Sequence, residues 1–440
     1  MLNFINEYIS SPIMVCGALI VGIYLTFKLR FVQITHFVDS FKFLFKNGKS
    51  ENGISPFQAV TTALSGTLGT GNIVGVATAI SIGGAGSLFW MWISAFLGMA
   101  TKFCEISTSV LYAQKDSKGN FFGGPMYYIK NRFMQIAFAI FCLLSSFGIG
   151  NMVQSNTVAE AISCTFNINY KPIIFIIMIL VFFTLVGGIK RIGTITEKAI
   201  PLMATFYIGG CLLVMFMNFS QIGNVFKEII TSAFDFSSMG GGLAGYGIIR
   251  SMKIGITRGI FTNEAGLGSA PIAHSCANAK SPSKQGFLGM FEVFFDTIVM
   301  CTMTGIVILL SSQYSNKNAD IDGANLTLGA FQEFLGSFAG AFIAVSTIFF
   351  AVSTIISWSY YGSACVKFLT KSKTAEFVYR ICYIMAIYIG ATSTLSFVFA
   401  FSDLLNCLMM IPNLIGICAI SSEVKKSLLD EFAKKNHNKE

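Results

Sequence analysis

Two short stretches of this sequence carry residue types able to hold a small charged ligand within a helix. The first is Ser65-Gly66-Thr67-Leu68-Gly69-Thr70-Gly71-Asn72-Ile73-Val74-Gly75. Glycine costs a helix about 1 kcal/mol per residue relative to alanine, so glycines this close weaken it locally. Ser, Thr and Asn offer substitute partners to the freed backbone groups. An unwound stretch exposes carbonyl oxygens, which suit a hard cation such as Na⁺. It also exposes the N-terminus of the following half-helix, which suits a carboxylate. The same residues admit a packing reading, because Gly71-x-x-x-Gly75 is a helix-contact spacing. No Gly-Lys-Ser/Thr follows, which excludes a phosphate loop.

The second stretch runs from Thr257 to Pro271 and contains Gly259, Phe261, Thr262, Asn263, Glu264, Gly266 and Gly268. An acid at the centre of a lipid-facing helix costs roughly 2.5–3.5 kcal/mol on insertion scales. Asn263 and Glu264 must therefore face protein or water. The competing reading is a structural polar cluster in which Glu264 pairs with a base.

These stretches need elements to position them, and composition says which. Hydrophobic residues make up 54% of the chain and charged residues 12%, against roughly 25% charged in soluble domains. Apolar runs of helix-spanning length recur, and the alternating strands of a membrane barrel are absent. Helices are the remaining way to satisfy a backbone in lipid. The expected fold is all-α, with eleven spans near 11–28, 55–82, 86–112, 134–161, 171–188, 196–218, 251–276, 285–311, 331–366, 376–397 and 400–420. The first reads as a retained span because no basic leader or cleavage site precedes it. The amphipathic basic stretch from Arg30 to Phe45 is expected on the membrane surface. In 219–250, apolar spacing from Val225 to Ala233 before Gly240-Gly241-Gly242 suggests an external interfacial helix.

Net charge is +9, but the bases sit in short loops, which points to topology and away from nucleic acid. Twenty-three lysines and arginines fall in one set of alternate loops, Lys46, Lys49, Lys115, Lys190, Lys280 and Lys367 among them. The opposite loops hold Lys171, Lys227 and Lys317, and Lys102, Arg250, Lys253 and Arg258 are ambiguous. This bias puts the N-terminus outside and the C-terminus in the cytoplasm. The eleven cysteines read as packing residues. His36, His274 and His437 read as loop positions. No Ser–His–Asp array, metal-ligand spacing or nucleotide loop suggests an enzyme, a cofactor or an obligate protein partner.

Beyond residues 1–54, five core spans cover 55–218 and five more cover 251–420, separated by 219–250 and followed by a tail, 421–440. Five is odd, so the halves have opposite membrane orientation, and each opens with a glycine-interrupted helix. Paired broken helices in inverted halves are a sequence pointer to a secondary-transporter site.

Thr67 to Ile80, TLGTGNIVGVATAI, resembles the signature of the alanine or glycine:cation symporter family. Matching segments continue at Phe89–Trp92, Gly98–Phe103, Gly123–Tyr128, Gly150–Gln154, Gly259–His274 and Trp358–Gly362. The resemblance implies a leucine-transporter-like fold of 5+5 inverted repeats plus one extra N-terminal helix. It implies Na⁺- or H⁺-coupled uptake of small neutral amino acids across a plasma membrane (a bacterial inner membrane). Carried onto this sequence, the amides of Thr70, Gly71 and Asn72 would hold the α-carboxylate, and Gln154 would be a polar contact. Gly259 to Asn263, with Thr262, would offer carbonyls to the α-ammonium, and Phe261 an apolar wall. Thr354 and Trp358 lie four apart on one helix face, and Trp358 could limit the pocket to a one-carbon side chain. By fold analogy, a sodium site would combine carbonyls near Ser65, Leu68 and Phe350 with the hydroxyls of Ser353 and Thr354. A proton-coupled or glutamine-type symporter stands as the alternative within transport. A channel or membrane sensor stands as the alternative class.

Overall fold

A computed structural model describes residues 2–44, 53–234, 242–279, 281–315 and 323–437. Lys46, Lys49, Lys280, Lys317 and Gly240-Gly241 lie outside the described residues. The described chain is helical apart from one two-stranded hairpin, Gln114–Lys115 with Phe121–Phe122. Among the described residues eight helices are long and apolar enough to cross a membrane, and the bent pair Pro56–Thr67 with Thr70–Gly83, at 58°, makes nine if it is one span. Two further helices lie in the core sequence, the apolar Lys171–Val186 and Gly242–Asn263.

Local chemistry explains the helix starts. Ser55 and Gln58 form a reciprocal capping box before Pro56, which fits the first helical position. Asn131 accepts from the Met134 amide, and Ser372 from the Ala375 amide, at two later starts. The N-terminal helix Asn6–Lys28 seats Gly22 against Leu97, where a side chain would lie 2.8 Å from the Leu97 Cβ.

Three expectations change. The expected span 331–366 is two helices, Gly323–Leu335 and Phe338–Thr370, divided at Gly336 with φ +57°. A left-handed glycine ends a helix, but hydropathy does not register it. The helix from Leu395 continues to His437, past the expected end at 420. Its extension packs on the protein, with Lys284 and Glu431 paired at 2.7 Å. The basic segment packs one face on protein, through Phe37 against Phe294 and Phe41 against Phe291, and leaves Ile34 and Val38 exposed. His274 is not a loop residue: it is fully buried at the end of the helix Ala270–His274.

The amphipathic helix in 219–250 is Ile222–Ala233, and its buried face is Val225, Ile229 and Ala233. On the other side, the feet of both interrupted helices touch through backbone. The Ile54 amide donates to the Cys276 carbonyl at 3.3 Å and the Asn278 amide to the Ile54 carbonyl at 3.1 Å.

Candidate functional site

The first interruption is an uncharged loop with borrowed supports. The helix stops at Thr67, Leu68 and Gly69 are non-helical, and Thr70–Asn72 form a single 3₁₀ turn before Val74–Gly83. The Thr70 amide donates to Gln154 Oε1 at 3.0 Å, and Gln154 Nε2 is anchored on the Ile149 carbonyl. The Asn72 side chain bridges the turn. Its Oδ1 accepts from the Gly69 amide at 3.1 Å, and its Nδ2 donates to Asp296 Oδ1 at 2.8 Å. The start of the second half-helix thus faces the interior, with its partial positive charge available to an anion.

The second interruption contains charge. The helix Gly242–Asn263 ends at Glu264, whose φ is +54°, and Gly266 and Gly268 are also left-handed. Trp358 Nε1 donates to Glu264 Oε1 at 2.9 Å, and the Ser269 hydroxyl donates to Oε2. Glu264 therefore has a tryptophan and a serine as its hydrogen-bond partners, where a base was the competing expectation. The base is nearby but used elsewhere: Lys102 Nζ donates to the Asn263 carbonyl at 2.9 Å. Lys102 is 0% exposed, and an ammonium at the carbonyl end of a helix opposes its dipole. Asn413 accepts from the Tyr128 hydroxyl at 2.5 Å and donates to the Gly266 carbonyl and to Glu105.

The two interruptions face each other at Gly71. A Cβ there would lie 3.2 Å from Thr262 Cγ2 and 3.3 Å from the Phe261 ring. A Cβ at Gly69 would lie 2.9 Å from Thr354 Oγ1 and 3.0 Å from Gln154 Oε1. Gly69, Thr70, Gly71, Gln154, Phe261, Thr262 and Thr354 thus converge. Gly259 does not: it packs on Ser94, and its carbonyl accepts from the Thr262 hydroxyl at 2.9 Å. Asn263 is a brace, with its carbonyl on Lys102, its Oδ1 on the Ala265 amide and its Nδ2 on Thr297. Trp358 is fully buried against Gly150 and Tyr361. Of the residues expected around sodium, Ser353 and Thr354 both donate to the Phe350 carbonyl at 2.9 Å, and Leu68 is fully buried. The Ser65 hydroxyl bonds that of Ser357.

Sequence reasoning passed over Asp296, Thr297 and Lys102. Asp296 is fully buried, and Thr297 ties it to Thr262 and Asn263. The signal was available, since the cost that marks Glu264 applies equally to an acid in the apolar helix Pro282–Leu310. Arg258 and Asp403 form a largely buried pair at 3.3 Å, with the guanidinium over the rings of Phe261 and Phe399.

A cavity of about 860 Å³ lies toward the basic loops. Its deep wall includes Cys276, Ser359 and Tyr360, and its mouth includes Arg132, Lys190, Lys367, Lys371 and Arg380. Asp116 also lines it, and hydrogen bonds from Asn120 hold that carboxyl below the usual carboxylate range.

The family model described as the sodium:alanine symporter family matches residues 1–440. The sodium/alanine symporter AgcS of Methanococcus maripaludis is 40% identical, over 96% of this chain and 95% of that protein. The probable sodium/glutamine symporter GlnT of Bacillus subtilis is 38% identical, over 99% and 91%. Among solved structures, MhsT in complex with L-phenylalanine superposes with a TM-score of 0.59 at 14% identity, covering 84% of this chain and 90% of that one. A Na⁺-coupled sialic acid symporter in a substrate-bound outward-open state gives 0.52 at 13%, covering 97% and 86%. At those identities the likeness concerns the fold, which is leucine-transporter-like, multi-span and α-helical. Fold, opposed interruptions and sequence matches together place this chain in the sodium:alanine symporter family, as a secondary active, Na⁺-coupled transporter of small neutral amino acids.

Proposed function

We propose that the chain imports alanine or glycine with Na⁺ across a cell inner membrane. In this reading it has eleven spans, 55–218 and 251–420 are inverted halves, 219–250 is external, and 1–54 adds a helix. The N-terminus is outside and the tail 421–440 is cytoplasmic, in keeping with the basic loops. The observation that carries the reading is the opposition of two unlike helix ends at Gly71, with Phe261 and Thr262 in contact range. The Gly71 amide, within the turn Thr70–Asn72, presents the positive end to the carboxylate, while the amides of Thr70 and Asn72 are held by Gln154 and Gly69 until the ligand arrives. Carbonyls of Phe261 and Thr262, at the negative end of the other helix, face the ammonium. A zwitterion has both charges on one carbon, so it matches two ends set this close.

Gln154 and Thr354 flank the carboxylate side, and Trp358 bounds the side-chain space. Carbonyls near Ser65, Leu68 and Phe350, with the Ser353 and Thr354 hydroxyls, hold Na⁺ at the foot of the same unwound stretch. Sodium there orders the carbonyls and with them the amides, so each ligand favours the other by an equal factor. Release follows rocking of the half-helices that carry both sites. GlnT raises a glutamine-sized cargo, but the bulk of Trp358 disfavours it.

The test is uptake of labelled alanine into proteoliposomes with a panel of competing amino acids. An inward Na⁺ gradient should drive accumulation, and glycine should compete while glutamine does not. Equal accumulation from a proton gradient without Na⁺ would remove sodium from the mechanism.

A further inference from the structure

A second buried polar cluster lies under the feet of the two interrupted helices, apart from the opposed ends at Gly71. His274 ends the helix Ala270–His274, and Glu292 and Gln285 belong to the next helix, Pro282–Val293. All three are at most 1% exposed. His274 Nε2 meets Glu292 Oε1, and Gln285 Nε2 lies 2.7 Å from His274 Nδ1. The same Gln285 amide lies 3.5 Å from the Pro56 carbonyl, the first residue of the helix leading to the other interruption. The cluster therefore links both feet, beside the backbone bridge from Ile54 to Cys276.

Its proton balance is specific. An amide N–H directed at Nδ1 makes that nitrogen an acceptor, so the ring proton sits on Nε2 and is donated to Glu292. With Glu292 ionised the cluster carries one negative charge, and Glu292 Oε2 has no hydrogen-bond partner. Among the described residues no lysine or arginine is within ion-pair distance of Glu292. A buried, uncompensated carboxylate is costly, and one further proton neutralises it.

The surrounding charges leave that balance in place. Helix Gly86–Leu111 brings Lys102, whose stem faces Gly289 but whose ammonium is on Asn263, and Glu105, which is bonded to Asn413. Helix Phe338–Thr370 brings Tyr361. The Phe37–Leu44 flank brings Asp39, engaged with His36 and Lys42, and the last helix brings Glu431, paired with Lys284. Asp296 lies one turn along and is bonded to Asn72 and Thr297. Helix Pro56–Thr67 contributes no titratable side chain. Cys276, two residues beyond His274, lines the basic-side cavity, so water is close behind the cluster.

We infer that His274 and Glu292 form a proton site that holds one proton while the inner feet are together and releases it to inner water as they part. This rests on the reading that the basic-side cavity faces the cytoplasm. The proton leaves the pair, the remaining negative charge is solvated by the water that enters, and closure takes a proton back. Acid inside should therefore slow opening.

The experiment is alanine exchange in proteoliposomes with equal, saturating Na⁺ and alanine on both sides while internal pH is varied. Absence of Na⁺-dependent exchange would count against the transport reading, independently of the proton site. The wild-type rate should fall about five-fold as the internal solution is made acid, following one protonation. Glu292→Gln, fixed in the neutral form, should be slow and vary by less than about 1.5-fold over the same acidification. A wild type flat in pH, or a Glu292→Gln profile that tracks wild type, overturns the proton site. Infrared difference spectra of the purified protein give a reading independent of transport. They should show a buried protonated carboxyl titrating in wild type and missing from Glu292→Gln. If that variant fails to insert, His274→Asn must lose both the pH response and the titrating band. Absence of a titrating band from wild type also overturns the site.

Discussion

The two helix interruptions face each other at Gly71, yet they are built from opposite chemistry. The first, Leu68 to Ile73, has no charged residue, and its supports come from Gln154 and Asp296 on other helices. The second holds Glu264 at a left-handed backbone position, and its exposed groups already have partners in Trp358, Ser269, Lys102 and Asn413. In the proposed reading the first interruption is the one that a ligand completes. The second is held by its own Ser269 and by partners on three other helices, which makes it the firmer jaw in the proposed reading.

That contrast can be broken from either side. Asn72→Ala should have the largest effect, since it unties the Gly69 amide and leaves Asp296 buried without that donor. A loss of about 3 kcal/mol, roughly a hundred-fold in alanine affinity, is expected with normal membrane insertion. Near-normal affinity in a binding assay would show that the first interruption does not depend on its brace. Lys102→Met should reduce uptake about ten-fold by freeing the Asn263 carbonyl, a loss of roughly 1.5 kcal/mol. Combining it with Glu264→Gln should cost less than the two single losses added, because both act on one jaw. Strict additivity would mean that the second interruption is not a unit.

Trp358→Ala should change selectivity more than rate. Bulkier amino acids should gain a few-fold as competitors of alanine uptake, and an unchanged competition profile would move the size limit elsewhere. The smallest effect is expected from Gly71→Ala. Its new methyl meets Thr262 and Phe261 at 3.2–3.4 Å, so a KM raised by about two- to five-fold is expected. A KM below wild type would show spare room between the interruptions.

Much of this was legible in the sequence because it is local. Glycine clusters mark both breaks, apolar length marks the spans, and the face of Ile222–Ala233 is written in its spacing. The missed features depend on distant partners. Lys102 meets Asn263 across 161 residues, and Asn72 meets Asp296 across 224. Counting Lys102 as a loop charge of uncertain side hid its role as a helix cap. His274 looked like a loop residue because Gly, Ser and Pro surround it. Its burial comes from Glu292 and Gln285, on the following helix. The division at Gly336 escaped for another reason: hydropathy runs on through a residue that turns the chain.

The close approach at Gly150 has an evolutionary consequence. A Cβ there would lie 2.2 Å from the Cβ of Trp358, an atom that every residue except glycine possesses. Position 150 is therefore closed to side chains by backbone spacing, whatever residue stands at 358. The ring beyond that shared atom is held separately, because its Nε1 donates to the buried Glu264. Two independent contacts thus fix this pair, so a change of cargo size made through Trp358 would have to bring a new partner for Glu264 with it.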